Sequence, residues 1–146
     1  MSGDYEKFQR HYGSLTTDVQ ITALTSSVPS VLVPRNVNYQ VYIQKAMLFV
    51  STWAASLVKL VGHTTSNVYA EWVVPATAPT ADDEGVVVPI DYGPLGLSLI
   101  QIGESVDLTL SAAGVVGYLH IEAYQKLGKT IGAYSPDFAV GTAALQ

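Results

Sequence analysis

The chain contains no cysteine and little charge. None of its 146 residues is a cysteine, which excludes disulfide bonds and thiolate metal sites. Charged residues make up 13% of the sequence, about half the share of an average soluble domain. Two interpretations of this low charge stay open: other subunits cover part of the surface, or the exposed strands carry threonine, serine and glutamine instead.

Basic residues are absent from the middle of the chain. No lysine or arginine occurs between Lys59 and Lys126, although several acidic residues lie there, and the net charge is −5. These acidic residues are Glu71, Asp82, Asp83, Glu84, Asp91, Glu104, Asp107 and Glu122. Because a nucleic-acid backbone is bound by clustered lysine and arginine, the sequence disfavours direct nucleic-acid binding.

Long apolar runs are also absent. The most apolar stretch, residues 46–61, is interrupted by Ser51, Thr52, Ser56 and Lys59 and does not resemble a membrane span. The first 13 residues are polar and aromatic and lack the apolar core of a signal peptide. We therefore expect a non-secreted protein that is soluble or assembled, with no membrane contact.

The pattern that is present has a period of two residues, which is typical of strands with one buried side. It is clearest in residues 106–111 and 115–127, which flank the small-residue turn 112–114 and predict a β-hairpin. A sustained helical period is missing, and seven to nine short strands fit this length. The predicted fold is all-β, a jelly-roll-like β-sandwich.

The pattern divides the chain into an N-terminal arm (1–13), a β-sandwich domain (14–127) and a C-terminal tail (128–146). The longest predicted strand, residues 38–52, places Val41, Ile43 and Lys45 on one side. It then becomes apolar on both sides from residue 46, which indicates a bulge or full burial.

Aromatic residues are the main candidates for binding. The chain has nine tyrosines and two tryptophans, and side chains with an apolar body and a polar tip favour interfaces. Those in the terminal segments are predicted to contact partners, and the alternative is that they pack on their own domain. The predicted interface residues are Tyr5, Phe8, Arg10, Tyr12, Tyr134 and Phe138.

Catalytic chemistry has one candidate, His120. The alternation places it on the same side as Glu122, and in the predicted hairpin Asp107 lies opposite. The alternative is a polar outer face, which we favour because no nucleophile motif accompanies the histidine. We expect no enzyme activity, no metal at the acidic run 82–84 and no nucleotide cofactor, since no phosphate-binding glycine loop follows a strand.

Residues 103–114 (GESVDLTLSAAG) and 117–126 (GYLHIEAYQK) resemble the end of small β-sandwich virion proteins of tailed bacteriophages. Residues 38–45 (NYQVYIQK) are similar to their long first core strand. The resemblance implies a capsid decoration, or cement, protein. It further implies a homotrimer that binds major capsid subunits on the capsid surface after assembly in the host cytoplasm.

Two other functions stay open at the level of sequence. One is a carbohydrate- or receptor-binding module of a phage tail or fibre, which requires exposed aromatic residues such as Trp53 or Trp72 in a groove. The other is an enzyme acting through His120, Asp107 and Glu122.

Overall fold

The computed structural model describes residues 12–78 and 86–128, which form ten β-strands and no helix. The strands are β1 (Tyr12–Ser14), β2 (Thr17–Ile21), β3 (Ser27–Leu32), β4 (Tyr39–Thr52), β5 (Ser56–Gly62), β6 (Val68–Val74), β7 (Val86–Asp91), β8 (Leu97–Ser98), β9 (Val106–Leu110) and β10 (Val116–Leu127). Within the described ranges no helix is long and apolar enough to cross a membrane.

The strands form two antiparallel sheets. In the six-stranded sheet β1 and β2 lie one after the other along β10, β10 pairs with β4, and β7 and β8 lie one after the other along β4. The four-stranded sheet has the order β3-β9-β5-β6. With each split strand counted once, this is the eight-strand order of a jelly roll, so the predicted fold class is confirmed.

The core lies between the inner faces of the two sheets. Leu119 and Ile121 of β10 are fully buried, and they face Val58, Leu60 and Leu108 of the other sheet, which are fully buried too. Each such side chain contributes about 1.5–3 kcal/mol by leaving water. The alternation seen in the sequence therefore reflects one face of each strand in this shared core.

A β-bulge interrupts β4, which is one of the two alternatives that the sequence left open. Lys45 is opposite Glu122 and Ile43 is opposite Ala123, so Gln44 has no partner on β10. The extra residue reverses the alternation, since Ile43 is buried before it and Ala46 is buried after it. The prediction that Lys45 shares the side of Val41 and Ile43 is therefore wrong.

The predicted hairpin is also wrong, although both of its strands exist. β9 pairs with β3 and β5, whereas β10 pairs with β1, β2 and β4. Residues 111–115 therefore cross from one sheet to the other. Two alternating strands can lie next to each other in one sheet, or they can lie in opposite sheets with their apolar sides facing each other. The same sequence pattern fits both arrangements.

The first strand begins two residues before the predicted start of the sandwich domain. Tyr12 and Gly13, the last two residues of the predicted arm, pair with Lys126 and Gln125. Residues 1–11, the acidic run 82–84 and residues 129–146 lie outside the described residues. The division into arm, domain and tail stays a prediction.

Candidate functional site

The outer face of the six-stranded sheet is interrupted along one line. Residues 15–16 separate β1 from β2, Gln44 forms the bulge in β4, and residues 92–96 separate β7 from β8. These breaks lie at one level, because the Leu15 N–H donates to the Ala123 carbonyl at 2.9 Å beside the bulge, and the Tyr92 N–H donates to the carbonyl of the bulge residue at 2.8 Å. We call this line the crease.

The loop of residues 92–96 forms one wall of the crease. The Gln44 side-chain amide donates to the Pro94 carbonyl at 2.7 Å, and the Tyr124 hydroxyl donates to the Leu95 carbonyl at 2.7 Å. Gly96 has a φ of +76° and lies so close to Ile43 that a Cβ atom would be 3.0 Å from its carbonyl oxygen. The loop is thus fixed to the sheet, and it presents Leu95 with 80% of its surface exposed.

Aromatic rings lie on one side of the crease. The rings of Tyr42 and Tyr124 stack with centroids 4.9 Å apart and planes 7° apart, and the Lys126 ammonium is 5.3 Å from the Tyr42 ring centroid. A groove of about 370 Å³ runs beside them, which we call the ring groove. It is lined by Ser14, Thr16, Gln44, Pro94, Leu95, Ala123, Tyr124 and Lys126.

Charged residues lie on the other side of the crease. His120 Nδ1 is 2.7 Å from Asp18 Oδ1, and His120 Nε2 is 3.2 Å from Glu122 Oε2. The contact with Asp18 raises the pKa of His120, burial opposes the rise and Glu122 adds to it. The histidine therefore joins the edge strand β2 to β10 most strongly when it is protonated.

His120 lies beside Glu122 as predicted, but not beside Asp107. Asp107 accepts from the Ser30 backbone N–H and is 2.8 Å from His63 Nδ1 in the other sheet. Asp18 takes the predicted place of Asp107. Both ring nitrogens of His120 contact carboxylates, so the arrangement is an ion-pair clamp and differs from a nucleophile–base pair.

The residue that the sequence reasoning missed is Glu104, which is 2% exposed. Its carboxylate accepts hydrogen bonds from the Thr64 N–H at 3.1 Å, the Thr65 N–H at 2.6 Å and the Tyr69 hydroxyl at 2.8 Å. Burial alone would raise the pKa of Glu104, but these hydrogen bonds together lower it.

The role of Glu104 is to hold the loop between β5 and β6 on one end of the sandwich. Gly62 packs against it so closely that a Cβ atom would lie 2.5 Å from Glu104 Oε2. In the sequence Glu104 follows a turn glycine and carries no signal of burial. Among the described residues, no group of three or more histidine, aspartate or glutamate side chains is placed to hold a metal ion.

The aromatic residues singled out in the sequence divide into two groups. Trp72 is 4% exposed and its indole N–H donates to the Val88 carbonyl at 3.1 Å, so it lies in the core and cannot be the exposed aromatic residue that the carbohydrate-binding alternative requires. Trp53 is half-buried. Tyr12 has its backbone in β1. The remaining predicted interface residues lie outside the described residues: Tyr5, Phe8, Arg10, Tyr134 and Phe138.

The sequence matches no protein-family model and no curated protein. Three solved structures are similar to the fold at low scores. A Bacillus endospore appendage protein, described as forming disulfide-linked pili, has a TM-score of 0.37 at 7% identity and covers 81% of this chain and 88% of its own. The virus-like particle of extra small virus from the prawn Macrobrachium rosenbergii has a TM-score of 0.36 at 14% identity, with 78% of each chain covered.

The third is a pentameric capsid protein from metagenomic phage sequences, with a TM-score of 0.37 at 10% identity. The match covers 78% of this chain and 60% of that protein. At such scores the likeness carries no argument about function. The fold assignment rests instead on the strand order of the two sheets.

Proposed function

We propose that this chain is a structural protein of a virion that decorates and stabilises the capsid by binding major capsid subunits. In this proposal it acts without cofactor as a homo-oligomer, a trimer by the family resemblance. It is located on the capsid surface after assembly in the host cytoplasm. Jelly rolls recur in viral capsid proteins, which makes the fold compatible with this function but does not establish it.

The observation that carries the proposal is the ring-bearing outer face of the six-stranded sheet. Two aromatic pairs stand on it, Tyr42 with Tyr124 and Phe49 with Tyr118, the second with centroids 5.2 Å apart. Tyr118 remains 39% exposed. A folded domain gains little from aromatic rings on its outer surface, whereas binding surfaces are enriched in them.

Exposed apolar residues also occur away from this face. Val73 on β6 is 76% exposed, Val88 on the edge strand β7 is 41% exposed, and Ile100 after β8 is 70% exposed. These side chains are spread over several strands and loops. A spread of small contacts suits attachment to several neighbours at once, where each weak contact raises the total affinity.

The direct test is co-sedimentation with empty shells built from the major capsid protein encoded in the same genome. We expect the full chain to sediment with the shells and Tyr118→Ser to sediment less. Val73→Ser, on the outer face of the other sheet, measures the contribution of the scattered apolar contacts and should reduce sedimentation less than Tyr118→Ser does. Absence of the unaltered chain from the shell pellet at every concentration would overturn the proposed function.

A second candidate function is glycan binding at a groove of about 570 Å³ on the same face. Its lining combines a carboxylate and an amide with aromatic side chains, the mixture that suits a polar ring-shaped ligand. The lining residues are Asp18, Gln20, Met47, Phe49, Tyr118 and His120. Binding on a glycan array that Gln20→Ala abolishes would support this function, and an array without binding would exclude it.

A further inference from the structure

The N-terminal arm begins next to the ring groove. Ser14 and Thr16 line the groove, and the described chain starts two residues earlier, where Tyr12 pairs with Lys126. Phe8 is four residues before Tyr12, which is within about 14 Å in an extended chain. Residues 1–11 therefore begin within reach of the groove.

The arm and the crease carry complementary side chains at the same spacing. Phe8 and Arg10 are two residues apart, so in an extended segment they lie on one side. Tyr124 and Glu122 are likewise two residues apart on the outer side of β10. An extended arm can thus place Phe8 against the tyrosine rings and Arg10 against the carboxylate in a single register.

The charged side of the crease leaves room for a cation. Lys45 is aligned with Glu122 on β10 and with Asp91 on β7. Glu122 also contacts His120, which contacts Asp18 as well, so three carboxylates lie beside two basic side chains. Asp91 and Glu122 both line a shallow pocket with Lys45. An arginine that enters the crease would balance the third negative charge.

Traced towards the N-terminus, β1 runs away from the crease of its own copy. From Ser14 back to Tyr12 the chain runs along β10 from Tyr124 to Lys126, which is away from Glu122. A return to the crease needs a reversal within residues 9–11, Gln-Arg-His, which contain none of the usual turn residues. The crease of another copy requires no such reversal.

We propose that the N-terminal arm of one copy binds in the crease of a second copy, with Phe8 on the ring pair Tyr42–Tyr124 and Arg10 on Glu122. The inference deepens the proposed function, because it names the contact that joins copies in the homo-oligomer and rests on that oligomer. The ring groove is then the acceptor site, with Leu95 as its exposed apolar wall.

The test is a charge exchange in the full chain, measured by light scattering over a range of concentrations. Arg10→Glu and Glu122→Arg should each shift the midpoint of association by about tenfold, and the double variant R10E/E122R should recover most of that loss. Lys7→Glu is the control for Arg10→Glu, because it makes the same charge change on the opposite side of an extended arm. Glu71→Arg is the control for Glu122→Arg, because it makes the same charge change on the outer face of the other sheet. Both controls should leave the midpoint within about threefold.

A second measurement keeps the proposal testable if Glu122→Arg disturbs His120. A fluorescein-labelled peptide of residues 1–12 should bind the Arg10→Glu chain, and the same peptide with Phe8→Ala and Arg10→Glu should not. Thermal melting of each variant reports whether the domain is folded.

The outcomes separate this inference from the proposed function. An unaltered chain that stays monomeric, or single variants that associate normally, would overturn the contact between arm and crease. So would a double variant that recovers nothing. If the exchange behaves as expected but the chain does not sediment with shells, the arm contact stands and the proposed function fails.

Discussion

The two sides of strand β10 are built for different purposes. Leu119, Ile121 and Ala123 on the inner side are 0–2% exposed and pack in the core. The outer side carries aromatic and charged residues that the fold leaves at the surface: Tyr118, His120, Glu122, Tyr124 and Lys126. One strand thus shows that burial specifies the fold, while the chemistry available for binding lies on the opposite side.

The largest expected difference between the two sides is in stability. Leu119→Ala leaves a cavity in the core and should lower the free energy of unfolding by about 2–5 kcal/mol. Tyr118→Ala, on the next residue, should lower it by less than about 1 kcal/mol. Urea unfolding of both variants measures the difference. Equal losses would show that the outer rings are part of the folding core.

The buried carboxylate of Glu104 gives the next largest effect. Glu104→Gln weakens three hydrogen bonds and should cost about 1–3 kcal/mol at pH 7, whereas Glu71→Gln on the surface should cost less than about 0.5 kcal/mol. Both values come from urea unfolding. A loss at Glu104 no larger than at Glu71 would mean that the loop 63–67 does not depend on this carboxylate.

The cost of Glu104→Gln should also depend on pH. Because the folded pKa of Glu104 is lowered from 4.5, its contribution is present above the unfolded pKa and is lost as the pH falls through the folded pKa. The free energy difference between the two chains should therefore shrink between pH 7 and pH 3. A difference that is the same at both pH values would contradict the role of the charge.

The clamp at His120 should give the smallest effect, below about 1 kcal/mol, because its partners are exposed. The folded pKa of His120 is raised from 6.5, so its stabilisation is full below the unfolded pKa and is lost as the pH rises through the folded pKa. The stability difference between the unaltered chain and His120→Gln should be larger at pH 5.5 than at pH 9. In an Asp18→Asn background this stability difference should change much less with pH. If it changes as much as before, the pH dependence comes from other groups.

The sequence predicts strands better than it predicts their partners. Period-two alternation located β4, β9 and β10, and the apolar stretch after residue 45 indicated either a bulge or full burial. The same alternation could not show that β9 and β10 lie in opposite sheets, because each buries one side in either arrangement. Asp107 was consequently assigned to the wrong histidine.

The candidate site depends on contacts between distant residues. His120 meets Asp18 across 102 positions of sequence, and Thr65 meets Glu104 across 39. The crease arises from breaks in three separate parts of the chain that become aligned only when the sheet forms. No local pattern encodes such an alignment, which is why the outer-face position of Glu122 was predictable and the crease was not.

The most direct test of the central claim is photo-crosslinking from the outer face in assembled particles. A benzoylphenylalanine at position 118 should crosslink to major capsid subunits. The same group at position 109, on the outer side of the four-stranded sheet, should crosslink less. If the particles contain the chain but position 118 forms no crosslink to any virion protein, the claim that this face is a binding surface for assembly is contradicted.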